Sequence, residues 1–179
     1  MPIFKSVRGK IPLLLLLHVF PGRSLAQIPT TIDILVIFSG NARLAAGGVG
    51  ILETKILDAI RGANNAYTNS FASQRIRLVH MEETPFEFVD PGDMCASRDR
   101  IHSPADGYLD YAQNLRNQYG ADIVVLVTND AVPEFGAGCA FICGYDAPCN
   151  ASFESNAFAS VKWDYLDKDV LTHELGHIM

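Results

Sequence analysis

Apolar positions along the chain fall into short solid runs separated by amphipathic stretches. Residues 32–38 form an Ile- and Val-rich run that ends at Ser39-Gly40, the pattern of a buried strand. Residues 52–71 carry Ile56, Ile60, Ala63, Tyr67 and Phe71 at three- and four-residue steps, which predicts an amphipathic helix. Residues 75–82 alternate instead and predict a second strand, with Ile76, Leu78 and His80 on one face and Arg77, Val79 and Met81 on the other. Residues 83–103 hold Pro85, Pro91, Gly92 and Cys95 and read as an irregular loop. A helix follows over 108–119, with Tyr108, Ala112, Leu115 and Tyr119 on one stripe and Gly120 as its stop.

Residues 122–128 enclose Ile-Val-Val-Leu-Val, an unbroken run suited to a central strand covered on both faces. The Gly-, Pro- and Cys-rich segment 129–150 reads as a long surface excursion, with a short strand near 139–143. Residues 158–163 predict a last strand and 166–179 a last helix, with Asp167 or Asp169 in its first turn facing the positive end of the helix dipole. Strands alternating with helices, without repeats or low-complexity linkers, predict one three-layer α/β or α+β domain.

The N-terminus departs from this pattern. Lys5, Arg8 and Lys10 precede an apolar run over 11–20, Pro21-Gly22 breaks it, and Ser24-Leu25-Ala26 supplies small residues at a cleavage point. This is the layout of a secretory leader over residues 1–26. A membrane span needs roughly 20 apolar residues, so the run is too short for one. The alternative is a buried N-terminal helix, an unusual place for a polyleucine run behind three cations. An exported protein, extracellular or periplasmic and without an anchor after cleavage, is the expectation.

The 179 residues carry a net charge of −6, which argues against nucleic acid or an anionic membrane surface as partner. Cys95, Cys139, Cys143 and Cys149 all follow the leader. An even number in an oxidising compartment points to disulfides, with three pairings open. A zinc site built on cysteine is the rival, but the spacing does not give a two-plus-two ligand pattern. Asn150-Ala151-Ser152 fits a glycosylation acceptor.

The chemistry lies at the C-terminal end, in His173-Glu174-Leu175-Gly176-His177-Ile178-Met179. On a helix, His173 and His177 project from one face, where two imidazoles can bind one Zn²⁺. Glu174 stands beside them as a candidate general base for a zinc-activated water. Five positions alone can arise by chance on an ordinary helix. The secretory leader, the preceding α/β pattern and Gly176, where a stronger helix former is usual, favour the chemical reading.

The stretch His173-Glu174-Leu175-Gly176-His177-Ile178-Met179 resembles the zinc helix of the reprolysin-like (adamalysin-type) metzincins, in their bacterial secreted form. Residues 31–38, 76–80, 106–110 and 119–127 are similar to that family's first strand, second strand, helix and central strand. The resemblance implies a zinc metalloendopeptidase, monomeric, with the upper subdomain of its catalytic domain over residues 27–179, acting on a protein or peptide substrate. Its mixed sheet would end in an antiparallel edge strand above the zinc cleft, around residues 136–143, with which extended substrate pairs.

The metzincin pattern continues through Gly-x-x-His to a Met-turn. The sequence reaches Met179 before these, so the expectation is a fragment without the third histidine or the lower subdomain, inactive as it stands. His80 and His102 are the other histidines after the leader. His80 reads as a core-facing strand residue and His102 as a solvated loop residue, rather than as ligands. Two alternatives remain: a thermolysin-like zincin with a downstream glutamate ligand, and a non-catalytic secreted binding domain that keeps the fold.

Overall fold

The unbroken apolar run in the middle of the sequence becomes the middle of a five-stranded sheet. The computed structural model describes residues 29–130 and 136–179. The leader assigned to residues 1–26 therefore lies outside the described residues. The strands are β1 (Thr30–Phe38), β2 (Gln74–Glu83), β3 (Ile123–Thr128), β4 (Gly138–Ala140) and β5 (Phe158–Lys162), in the spatial order β2-β1-β3-β5-β4. Four run parallel, and β4 alone is antiparallel, at the edge. Every residue of β3 is buried, as a strand covered on both faces must be.

Helices cover both faces. On one side α2 (Val49–Asn69) and α5 (Val170–Ile178) pack Leu52, Ile56, Ile60, Leu171 and Leu175 on Ile34, Val36, Val125 and Val161. On the other, Ile101 from α3 (Met94–His102) and Ala112 from α4 (Ala112–Tyr119) cover Leu35, Ile37, Val124, Leu126 and Phe158. The architecture is the three-layer mixed α/β fold that the alternation predicts.

Several local expectations are corrected. A helix, α1 (Gly40–Ala46), follows β1 directly. Ser39 caps it by accepting from the Ala42 amide, and Gly47 ends it in the left-handed conformation. Segment 83–103 is not loop throughout, because α3 occupies its second half behind an Asp93 cap. The face assignment in β2 holds only to Leu78. A register shift opposite Ile34/Leu35 then puts Met81 with Ile76 and Leu78, and Val79 on the other face.

Phe71 lies beyond α2 in a left-handed conformation and is fully exposed rather than on the buried stripe. In α4 the buried polar position is Arg116, which donates to the carbonyls of Ala121, Asp122 and Glu154, and Tyr108 is exposed before the helix begins. The last helix is also shorter than 166–179. A 3-10 turn fills Trp163–Lys168, and α5 has no acidic residue in its first turn. No helix among the described residues is long and apolar enough to cross a membrane.

Candidate metal centre

Asp169 turns the chain from the 3-10 segment into α5 through a left-handed conformation, with φ of 58°. Its carbonyl accepts from the His173 amide at 3.0 Å and starts the helix. The apolar side of α5, Leu171, Leu175 and Ile178, is buried in the core. Residues at steps of three and four share a face, so anchoring these three fixes where His173 and His177 point. A second tether holds the far end, where the His177 carbonyl accepts from the Cys143 amide at 2.8 Å.

His173 is exposed and His177 half-buried. Their Nε2 atoms stand 3.0 Å apart, and the rings meet edge to face. Two nitrogens sharing a tetrahedral zinc at about 2.0–2.1 Å each would lie about 3.3 Å apart. The pair thus converges on one point at nearly the separation zinc needs, and the donor set fits the metal. His80 and His102 do not join it. His80 lies on β2 at the opposite edge of the sheet, stacked on Tyr119 and bonded to Glu82. His102 ends α3 on the opposite face, half-buried against Phe141 and Phe158 rather than solvated. Burial pushes its imidazole below the ordinary value.

Glu174 is 5% exposed. Burial pushes its carboxyl up to about 7, against an opposing pull from the Arg98 guanidinium. Directly above it runs β4. A Cβ added to Gly138 would stand 2.5 Å from Glu174 Oε1 and 2.7 Å from Cγ, so only glycine leaves room for the carboxylate there. Gly176 has nothing within 4 Å of an added Cβ, and the structure gives no steric reason for glycine at that position.

The ladder between β4 and β5 fixes which way β4 faces. Lys162 donates to the Ala137 carbonyl at 2.8 Å, and Phe141 donates to the Phe158 carbonyl at 3.4 Å. In antiparallel pairing, alternate residues turn their amides and carbonyls outward. Gly138 and Ala140 are those residues, and beside Glu174 they present an edge that no further described strand covers, with the Ala140 carbonyl accepting from Arg98 Nη1 at 3.3 Å. The cysteines pair as Cys95–Cys139 and Cys143–Cys149. The first bond ties α3 to β4, and the second closes the loop that holds the end of α5.

Arg98 was not evident as a site residue from the sequence, because it falls in the segment read as loop. From α3 it reaches round to β4. Its Nη1 lies 3.3 Å from the Ala140 carbonyl, and its guanidinium stacks on Phe141. Buried Asp130 braces α3 from beneath, accepting from the Gly92 amide and the Ser97 hydroxyl.

The model of the M12B reprolysin-like metallopeptidase family matches residues 53–179. A peptidyl-Asp metalloendopeptidase of Xanthomonas campestris is 30% identical over 151 residues, covering 84% of this chain and 33% of the relative. A peptidyl-Asp metalloendopeptidase of Pseudomonas aeruginosa is 37% identical over 100 residues, covering 55% of this chain and 15% of the relative. The chain thus spans about a third or less of the length of these relatives. Among solved structures, metalloproteinase-II from Bacteroides fragilis is similar in fold, with a TM-score of 0.52 at 12% identity over 84% of this chain and 42% of that one. A chain from a chaperone-substrate complex gives a TM-score of 0.64 at 19% identity, over 83% of this chain and 26% of that one.

Proposed function

The chain belongs to the M12B reprolysin-like metallopeptidases, and from that premise we propose that residues 27–179 form the N-terminal part of the catalytic domain of a secreted zinc endopeptidase. The observation that carries this reading is the convergence of His173 and His177 Nε2 at 3.0 Å beside the buried Glu174 carboxyl. His173 and His177 would hold zinc, supplying two of the three protein ligands a catalytic zinc takes. Among the described residues no group of three or more His, Cys, Asp or Glu is placed to hold a metal, so a third ligand would have to lie outside them.

Bound there, zinc supplies Lewis acidity to the attacking water and the scissile carbonyl. The remaining work falls to the chain itself. An extended peptide adds to the open edge of β4 through the amide and carbonyl of Gly138 and the amide of Ala140. Glu174 takes a proton from the attacking water and passes it to the leaving nitrogen. Its burial under β4 keeps bulk water from competing for that proton. The substrate is a protein or peptide, and the names of the relatives favour cleavage at aspartyl residues. Export rests on the leader at residues 1–26 and on two disulfides of the kind oxidising compartments permit.

The test is made on the full-length protein. Glu174→Ala abolishes peptide hydrolysis and leaves zinc bound, by metal analysis. Hydrolysis that survives this substitution, or that is indifferent to a chelator, overturns the assignment of Glu174 and zinc, whereas no hydrolysis by the wild-type full-length protein overturns the reading in favour of a non-catalytic binding domain.

A further inference from the structure

Arg98 is anchored on one face of the sheet but ends at the edge where substrate would bind. Its side chain is 15% exposed. Nε and Nη2 share Asp99 Oδ1 at 3.0 and 2.7 Å, and Nη1 meets the Ala140 carbonyl at 3.3 Å and Cys139 Sγ at 3.4 Å. The guanidinium lies over the Phe141 ring, with 3.9 Å from its carbon to the ring centre. Ala140 is one of the two outward-facing residues of β4, and the other, Gly138, touches Glu174. The guanidinium is thus fixed two strand positions from the reacting centre, about 7 Å along an extended chain.

A guanidinium carries five N–H donors. One Nη2 donor has no acceptor among the described residues after Asp99 is counted. An acidic side chain brought to this edge would meet repulsion from Glu174 unless a cation offset it. Arg98 is the cation that the fold supplies there, braced by the Cys95–Cys139 bond next to it.

We propose that Arg98 is the specificity residue of the β4 edge: its guanidinium pairs with the carboxylate of an aspartyl side chain within two residues of the scissile bond. The inference rests on the proposed peptidase reading and adds the residue that selects the substrate. A charge-assisted pair of this kind discriminates Asp from its neutral isostere Asn, since the isostere fills the same space and leaves the guanidinium unpaired.

The test is equilibrium binding, which does not depend on turnover. Fluorescein-labelled decapeptides with one Asp, and their Asn counterparts, are titrated by fluorescence anisotropy with the full-length protein kept metal-free by a chelator, which stops hydrolysis, as wild type, Arg98→Gln and Arg98→Lys. The wild type is expected to bind the Asp peptide about tenfold more tightly than the Asn peptide. In Arg98→Gln the ratio falls to about one, while the Asn peptide binds as before within about twofold. Arg98→Lys keeps the charge without the planar fork and gives an intermediate ratio.

Equal binding of both peptides by the wild type overturns the inference. So does a ratio that persists in Arg98→Gln, or one that falls because both peptides weaken in parallel. Should Arg98→Gln not fold, Arg98→Lys decides: a lowered ratio supports the inference and an unchanged ratio overturns it. Hydrolysis that needs Glu174, together with an Asp/Asn ratio indifferent to Arg98, removes this inference and leaves the peptidase reading standing. An Arg98-dependent ratio without hydrolysis in the full-length protein does the reverse.

Discussion

Gly138 on the edge strand and Glu174 on the histidine-bearing helix share one contact, in which the backbone of the first walls in the carboxylate of the second. A methyl group added at Gly138 would stand 2.5 Å from Oε1, 2.7 Å from Cγ and 2.8 Å from Cδ. Those atoms belong to a side chain packed inside the protein, so the clash cannot be relieved by swinging into solvent. Gly138→Ala is expected to push Glu174 off its position while leaving His173 and His177 in place. Zinc binding should be unchanged, and peptide hydrolysis by the full-length protein should fall by about 10²-fold or more. The overpacked contact should also cost about 1–3 kcal/mol of stability. Metal analysis, kcat and a urea denaturation curve on the same variant separate these effects.

The regular parts of the fold were legible because they obey one period. The solid run of β3 and the three- and four-residue steps of α2 gave their positions directly, and the order of elements gave the layers. The misses have local causes. α3 hides behind Pro91-Gly92, and its turns are held by an Asp93 cap, a disulfide and buried Asp130, which are contacts across the chain rather than a stripe along it. The β2 register shift moves His80 from the α2 side of the sheet to the α4 side, opposite Leu35 and against Tyr119, which periodicity alone cannot register. The candidate zinc helix was readable as a motif. Gly138 and Arg98 beside it were not, because their importance lies in what folding brings next to them.

The two disulfides should differ in weight. Cys95 and Cys139 are 44 residues apart, and Cys143 and Cys149 only 6. By loop-closure entropy the first constrains the unfolded chain by about 4 kcal/mol and the second by about 2 kcal/mol. Cys95→Ser/Cys139→Ser is therefore expected to lower the urea midpoint more than Cys143→Ser/Cys149→Ser. Because Cys139 lies in β4, only the first pair should also speed hydrogen exchange at the β4–β5 ladder. Equal losses from both pairs would mean that strain or residual unfolded structure governs, and not loop length.

His102 gives stability a pH dependence with a definite sign. Burial against Phe141 and Phe158 holds its pKa below the ordinary 6.5, with Arg98 pushing the same way and Asp99 opposing. The unfolded chain therefore takes up this proton at a higher pH than the folded one. The contribution is fully present above about pH 6.5 and is lost as pH falls through the lowered folded value. His102→Gln removes the titration. Urea midpoints compared between pH 8 and pH 5 should fall less in the variant than in the wild type. An equal fall in both would show that His102 is not the group responsible.

Zinc itself should report on the two histidines independently of catalysis. Each points one Nε2 at the same place, so on the proposed reading each single substitution would leave one ligand from this helix. His173→Ala and His177→Ala are both expected to weaken zinc binding, by comparable amounts, while Glu174→Gln does not. A ligand that binds only the folded chain also raises its stability in proportion to ln(1 + [L]/Kd). Added zinc should thus raise the Tm of the wild type and of Glu174→Gln, a chelator should reverse the rise, and neither histidine variant should respond at the same zinc concentration. The histidine substitutions should leave the metal-free Tm close to wild type, because the side of α5 that carries the packing is Leu171, Leu175 and Ile178. A zinc response that survives in both histidine variants would place the metal elsewhere on the chain and remove the candidate centre.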